Sequence, residues 1–123
     1  MSSEWDDLLA KYPAHVQELA IETRGVIHAV LSNPTEQVDS KANVVGYGFG
    51  AGYNNLICTI IMSKTGVKLG LVGGASLPDP KKLLEGSGKV HRYVQVKSPA
   101  DARRPAVKAL LKAGVAEWKI KTG

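Results

Sequence analysis

The spacing of apolar residues changes once along this chain, and that change limits the folds it can adopt. Between Pro13 and Ser32 the apolar side chains recur every three or four residues, which predicts an amphipathic helix. From Val44 onward they alternate with small or polar residues, as in β-strands. A shorter helix capped by Ser3 comes first, and another helix comes last. This order predicts an α+β fold in a single domain, residues 1–123, with an antiparallel sheet covered on one face by the N-terminal and C-terminal helices.

The central strands show two contrasting patterns. In VGYGFGAGYN, glycine occupies positions 46, 48, 50 and 52, while Tyr47, Phe49 and Tyr53 take alternate places. An extended chain here has one bare face, which a neighbouring segment can approach closely, and one aromatic face. The apolar run Leu56–Met62 predicts a strand buried in mid-sheet, and KTG at 64–66 predicts the hairpin turn that follows it.

The segment from Gly70 to Val96 is divided by turn residues. A strand ends at the glycines at 73 and 74, and the prolines at 78 and 80 force a turn. KKLLE at 81–85 predicts a short helical segment, and GSG then turns the chain into a strand over residues 90–96. Beyond it, SPAD at 98–101 has the hydroxyl, proline and acid that start a helix, and Pro105 predicts a bend or a restart.

Composition excludes several classes of protein. The single cysteine, Cys58, lies in the apolar run LICTII, so no intramolecular disulfide can form and a reducing, cytoplasmic setting is expected. The N-terminal MSSEWDDLLAKY is polar and acidic where a secretory signal is basic and then apolar. No apolar run approaches the roughly 20 residues of a spanning helix, so we expect no membrane contact. Sixteen basic and eleven acidic residues give a formal charge of +5, which attracts anions.

Residues 69–92 carry a pattern of Leu-Gly, Gly-Ala, Leu, Asp-Pro, Leu-Leu and Gly-x-Gly-Lys followed by Arg. The positions that form it are Leu69, Gly70, Gly74, Ala75, Leu77, Asp79, Pro80, Leu83, Leu84, Gly86, Gly88, Lys89 and Arg92. In this pattern the chain resembles the YdhG-like family of small bacterial domains of unknown function. The family often has a Tyr-Gly-Met-Pro stretch in its first strands, where this chain reads YGFG at 47–50. The resemblance implies a small α+β fold similar in outline to frataxin, no catalytic residues, and an iron-chaperone role proposed for one bacterial branch.

Arg92 is the most informative charged residue. In the predicted strand at 90–96 it shares a row with Val90, Val94 and Val96, so its guanidinium lies on the apolar side and needs a partner. One interpretation is an internal pair with a carboxylate such as Asp79 or Asp39, or a head that reaches water at the sheet edge. The other is an arginine that binds an anion at the mouth of a cleft. The candidate ligand-binding residues in that case are Lys89, Arg92 and Tyr47.

Carboxylates offer a metal-binding hypothesis, since hard oxygen ligands bind iron weakly enough to release it. The candidates are Glu4, Asp6, Asp7, Glu18 and Glu22. Helix capping explains the first three acids, and solvation explains the other two. The histidines show no metal-ligand spacing. We therefore predict no metal site and no cofactor. EGSGK at 85–89 lacks the glycine spacing and the following helix of a phosphate-binding loop. Its glycines are those expected of a turn.

No catalytic set can be assigned, because no histidine is placed beside Cys58 and no serine has a recognisable base. We predict a non-catalytic module that binds a small anionic ligand or a protein partner in a cleft beside the sheet. An iron chaperone is the first alternative, and a weak electrostatic nucleic-acid binder is the second. The basic residues for the second are Lys81, Lys82, Lys89, Arg92, Arg103 and Arg104. Edge strands would also allow a homodimer.

Overall fold

In the computed structural model the described residues are 3–50 and 55–122, and they form four α-helices and five β-strands. The helices are α1 (Glu4–Leu9), α2 (Ala14–Leu31), α3 (Pro99–Ala102) and α4 (Pro105–Thr122). The strands are β1 (Thr35–Asp39), β2 (Val44–Gly48), β3 (Leu56–Met62), β4 (Val67–Leu71) and β5 (Arg92–Val96). A 3-10 turn, Gly74–Ser76, follows β4. None of the helices in these ranges is long and apolar enough to cross a membrane.

The five strands form one antiparallel sheet in which each strand pairs with the next along the chain, in the order β1-β2-β3-β4-β5. The hairpin predicted at 64–66 joins β3 to β4, where the Ser63 N–H donates to the Gly66 carbonyl at 3.0 Å. Helices α2 and α4 contact each other and pack on the central strands. The predicted α+β fold, with an antiparallel sheet and helices from both ends of the chain, is confirmed.

The core lies between the sheet and these helices. One row of cross-strand neighbours on the helix-facing side joins Tyr47, Cys58, Leu71 and Arg92. The first three are buried. The amphipathic helix predicted over 13–32 is confirmed as α2, whose buried residues are Val16, Leu19, Ala20, Thr23, Val26, Ile27 and Leu31. Helix α4 adds Val107, Leu110, Leu111 and Gly114.

The predicted helix starts are also confirmed. The Ser3 hydroxyl accepts the Asp6 backbone N–H at 3.1 Å, and the Asp6 carboxylate bonds back to Ser3. At the start of α3, the Asp101 carboxylate accepts the backbone N–H groups of Lys97 and Ser98, at 2.9 and 3.1 Å. Pro105 restarts the helix as α4, because its ring cannot continue the backbone hydrogen bonds of α3.

A neighbouring segment lies close to the glycines of β2, as predicted. A Cβ on Gly48 would lie 1.8 Å from the carbonyl oxygen of Asn55, and one on Gly46 would lie 2.7 Å from a leucine methyl of β3. Only glycine therefore fits at position 48. Two other members of that pattern, Gly52 and Tyr53, lie outside the described residues.

The segment before β5 departs from the prediction. Residues 81–85 form no helix, because the Asp79 carboxylate accepts the backbone N–H groups of Leu83 and Leu84, each at 2.9 Å. A side chain that takes up backbone donors in this way competes with helical hydrogen bonds. Glu85 instead exchanges two backbone hydrogen bonds with Tyr93. The loop therefore covers part of the outer edge of β5, where an open strand could pair with another chain.

Candidate functional site: a cavity at one end of the sheet

A cavity of about 530 Å³ lies at the end of the sheet where β4 ends and β3 and β5 begin, beside the C-terminal half of α4. We call it the end cavity. Its apolar lining consists of Leu56, Ile57, Ile61, Gly70, Leu71, Val72 and Gly114. Its lining residues with polar groups are Thr59, His91, Arg92, Glu117, Trp118 and Lys121. The cavity is therefore amphipathic.

One stripe of α4 forms a wall of the end cavity. Its members, at positions i, i+3, i+4 and i+7, are Gly114, Glu117, Trp118 and Lys121. Gly114 lets the helix approach the sheet closely, since a Cβ there would lie 3.1 Å from Cγ2 of Ile57. One turn further along, Trp118 packs against Phe49, with ring centroids 5.0 Å apart. These two contacts hold α4 against the end of the sheet.

Arg92 joins the lining from the sheet. It is the first residue of β5, two residues later than the predicted start, because the carbonyl of Val90 accepts the N–H of Ala75 in the 3-10 turn at 2.9 Å. The Nη1 of Arg92 donates to the carbonyl of Gly86 at 2.7 Å. Its buried Nε has no acceptor among residues 3–50 and 55–122.

Of the alternatives for Arg92, the internal ion pair with Asp79 or Asp39 does not form. Asp79 uses its two oxygens on backbone N–H groups of its own loop, and Asp39 accepts the N–H of Ala42 at 3.1 Å. Within the described part of the chain, no carboxylate lies within 4.0 Å of the Arg92 guanidinium. Arg92 belongs to the core-side row of the sheet, as predicted, but its guanidinium bonds the carbonyl of Gly86 in the loop at the sheet edge and has no internal counter-charge.

Two more side chains of the lining carry N–H donors. The indole Nε1 of Trp118 is buried and, like Nε of Arg92, finds no acceptor in the described ranges. His91 accepts the backbone N–H of Gly73 on Nδ1 at 3.1 Å, so the neutral imidazole carries its proton on Nε2. Buried donors are nearly always paired in folded proteins, so it is unusual that two residues of one lining each carry an unpaired donor. They suit a ligand that brings hydrogen-bond acceptors.

The charges of the lining favour an anion. Arg92 and Lys121 are cationic and Glu117 is anionic, which leaves one excess positive charge when His91 is neutral. The chain as a whole carries +5, so the long-range field has the same sign.

The structure does not bring the three predicted binding residues together. Tyr47 shares a cross-strand row with Arg92, but β3 and β4 lie between them, which amounts to about 14 Å at the usual strand spacing. Tyr47 is fully buried, and its hydroxyl donates to Glu36 at 2.7 Å. Lys89 is exposed in the loop before β5 and does not line the end cavity. Of the three, only Arg92 lines it.

Sequence reasoning missed Trp118, Lys121 and His91 as lining residues. The available signal was the helical spacing that places Gly114 and Trp118 on one stripe of α4, since a glycine followed by an aromatic residue one turn later can leave room beside a sheet. His91 gave no such signal, because its position depends on a contact with Gly73 in a separate turn.

Comparisons with family models, curated proteins and solved structures found no match. The resemblance to the YdhG-like family therefore remains a prediction based on residues 69–92. Two positions of that pattern, Gly70 and Arg92, line the end cavity.

A second polar cluster lies under α2. The Glu36 carboxylate accepts two hydrogen bonds from Arg24, at 2.7 and 3.0 Å, and one from Tyr47, and His28 Nε2 lies 3.7 Å away. Burial by itself would raise the pKa of Glu36, but the hydrogen bonds from Arg24 and Tyr47 and the Arg24 charge outweigh it and lower the pKa. Burial, together with the bond to Glu36, raises the pKa of Tyr47. The carboxylate has its partners within the chain, so we interpret this cluster as structural.

The acids of the iron-delivery hypothesis take part in local contacts. Asp6 completes the cap of α1, and Glu22 binds Arg103 at the end of α3. Among residues 3–50 and 55–122, no three His, Cys, Asp or Glu side chains are grouped closely enough to hold a metal ion. The iron-chaperone and nucleic-acid hypotheses remain predictions that no contact described above favours.

Proposed function

We propose that this protein is a non-catalytic binding module that holds a small anionic molecule with an apolar body in the end cavity. The observation that supports the proposal best is that two residues lining one cavity, Arg92 and Trp118, each carry a buried donor without a partner, Nε and Nε1 respectively. Neither group can accept a hydrogen bond, so both require an acceptor. The proposal includes a cytoplasmic location, which suits the free thiol of Cys58, and membership of the YdhG-like family.

The energetic argument has a polar part and an apolar part. A buried donor without an acceptor costs about 1–3 kcal/mol, and a ligand that supplies the acceptor recovers this free energy on binding. Apolar surface removed from water adds roughly 25 cal/mol per Å², and Ile57, Leu71 and Val72 offer such surface. The volume of about 530 Å³ falls within the roughly 300–1,000 Å³ of small-molecule sites.

The reactive side chains of the core support binding over chemistry. Cys58 is fully buried, and burial raises the pKa of its thiol, which keeps it protonated and a poor nucleophile. The Tyr47 hydroxyl is engaged by Glu36, and its pKa is also raised. Neither residue lines the end cavity.

A fluorescence titration with 8-anilinonaphthalene-1-sulfonate tests the proposal, because this anionic aromatic probe becomes fluorescent when it leaves water. We expect saturable, one-to-one binding to the wild-type protein. Val72→Phe places a ring in the lining and should weaken the affinity by roughly ten-fold or more, a loss of about 1.4 kcal/mol. Gln95→Phe, on a half-buried outward position of β5 outside the lining, is the matched control and should bind as the wild type does.

Thermal unfolding of each variant establishes that it is folded before the titration is interpreted. Binding that does not saturate, or equal affinity of Val72→Phe and the wild type, would contradict the proposal. An equal loss in the Gln95→Phe control would contradict it as well, because the probe would then bind beside β5, outside the end cavity.

A further inference from the structure

We infer that the polar end of the ligand is a carboxylate, bound side-on by the Nε and Nη2 edge of Arg92, so that the protein takes an apolar monocarboxylic acid. This inference rests on the proposed function and specifies its ligand class. It is carried by the free edge of one arginine, by a matching ion pair elsewhere in the chain, and by the charges of the lining.

Arg92 has one guanidinium nitrogen engaged and one edge free. Its Nη1 donates to the carbonyl of Gly86 at 2.7 Å. Neither Nε nor Nη2 has a hydrogen-bond acceptor in the described part of the chain. The N–H groups of Nε and Nη2 run parallel in the guanidinium plane, so together they match the two oxygens of a single carboxylate.

The same edge of a second arginine binds a carboxylate within this chain. Arg24 donates from Nε to Oε2 of Glu36 at 2.7 Å and from Nη2 to Oε1 at 3.0 Å. Arg24 has its carboxylate inside the protein, whereas Arg92 has none within ion-pair distance among residues 3–50 and 55–122. A ligand carboxylate would complete at Arg92 the geometry that Glu36 completes at Arg24.

The charges of the lining select a single negative charge. Arg92, Lys121 and Glu117 sum to one excess positive charge when His91 is neutral. A monocarboxylate neutralises this charge, whereas a phosphate dianion would leave excess negative charge beside Glu117 and out of water, which is unfavourable.

The remaining lining orients such an acid. Trp118, whose indole N–H has no acceptor in the described ranges, lines the same cavity. The apolar residues on the sheet side, Leu56, Ile57 and Leu71, then accommodate an alkyl or aryl body. A neutral analogue of the same shape would keep the apolar contacts and lose the charged pair of hydrogen bonds.

Isothermal titration of the wild-type protein with 4-phenylbutanoate and its neutral analogue 4-phenylbutanamide tests the inference. Octanoate and octanamide repeat the comparison with an alkyl body, and phenyl phosphate represents a dianion. We expect each acid to bind at least about ten-fold more tightly than its amide, since charge-assisted bidentate pairs are roughly twice as strong as neutral ones. Phenyl phosphate should bind more weakly than 4-phenylbutanoate.

Two lysine variants distinguish the effect of bidentate hydrogen bonding by Arg92 from the effect of its positive charge. Arg92→Lys retains the charge and removes the bidentate edge, so the preference for acid over amide should fall by roughly ten-fold. Arg103→Lys makes the same chemical change at a residue that binds Glu22 and lies outside the lining, so the preference should be unchanged.

Equal affinity of the wild type for acid and amide, tighter binding of phenyl phosphate, or an unchanged preference in Arg92→Lys would overturn the carboxylate assignment. Absence of binding heat with both acids would also overturn it. In each of these cases, saturable binding of the naphthalene sulfonate that Val72→Phe weakens would leave the proposed function standing. Loss of that binding would defeat the proposed function itself.

Discussion

The hydroxyl of Tyr47 donates to the Glu36 carboxylate at 2.7 Å, and the two residues are direct cross-strand neighbours in β2 and β1. Arg24 of α2 binds the same carboxylate through two nitrogens. One carboxylate therefore joins an edge strand, its neighbour and the long N-terminal helix. The hydrogen bonds to Glu36 lie between the sheet and α2, and Tyr47 is fully buried there.

Removal of this hydroxyl should destabilise the fold. Tyr47→Phe is expected to lower the free energy of unfolding by about 1–3 kcal/mol, because a partly buried carboxylate loses one of its donors. Urea denaturation at pH 7 measures the change. Tyr93→Phe is the control, since its hydroxyl has no hydrogen bond among the described residues and Phe retains the ring that Lys68 covers; its effect should stay within about 0.5 kcal/mol. Equal losses in the two variants would contradict the prediction.

Acid should weaken the protein partly through Glu36. Its pKa in the folded protein lies below the ordinary value of 4.5, so the unfolded chain takes up this proton at higher pH than the folded chain does. The stabilisation by Glu36 is therefore present above pH 4.5 and is lost as the pH falls through the folded-state pKa. Urea denaturation between pH 7 and pH 3 should show a shallower acid loss for Glu36→Gln than for the wild type. The exposed Glu18→Gln should follow the wild type, and parallel curves for all three proteins would refute the assignment.

Two glycine-to-alanine substitutions should have opposite signs. Gly25 lies inside α2 with open space around its Cβ position, so Gly25→Ala should raise the free energy of unfolding by about 0.5–1 kcal/mol. Gly48 meets a backbone oxygen there, so Gly48→Ala should lower it by about 3 kcal/mol, because the strands must separate. Chemical denaturation of both variants measures this contrast. Destabilisation by Gly25→Ala, or tolerance of Gly48→Ala, would show that the predicted local packing is wrong.

The Asp79 carboxylate should determine the order of the loop before β5. Asp79→Ala removes the acceptor of the Leu83 and Leu84 N–H groups, so amide hydrogen exchange at both positions should accelerate. Asp39→Ala, which removes one backbone contact at the other edge of the sheet, is the control and should leave that exchange unchanged. Unchanged protection in Asp79→Ala would mean that the packing of the two leucines holds the loop without the carboxylate.

Local rules predicted the parts of the fold that depend on near neighbours in sequence. The caps at Ser3 and Ser98, the break at Pro105 and the hairpin at 64–66 each involve residues within a few positions of one another. The same is true of the helical periodicity of α2. These features could be predicted because their energies are decided before distant segments meet.

The errors arose where a distant or competing contact decided the outcome. The apolar and basic residues at 81–85 suit a helix, but the Asp79 carboxylate takes the N–H groups that the helix would use. The row containing Arg92 was predicted correctly, yet its partner was not, because both candidate carboxylates bind backbone groups near themselves. Helical spacing places Trp118 beside other apolar residues of α4, and nothing in that spacing indicates that its indole N–H lacks an acceptor.

By itself, the sequence determined the class of fold, the order of the helices and strands, and the side of the sheet on which Arg92 lies, because periodicity and turn chemistry act over short distances. Only the tertiary structure decided that Arg92, Trp118 and Lys121 line one cavity while Tyr47 turns to Glu36. A cavity exists between elements that are far apart in the chain, and its donors are free or paired according to contacts that form only when those elements pack.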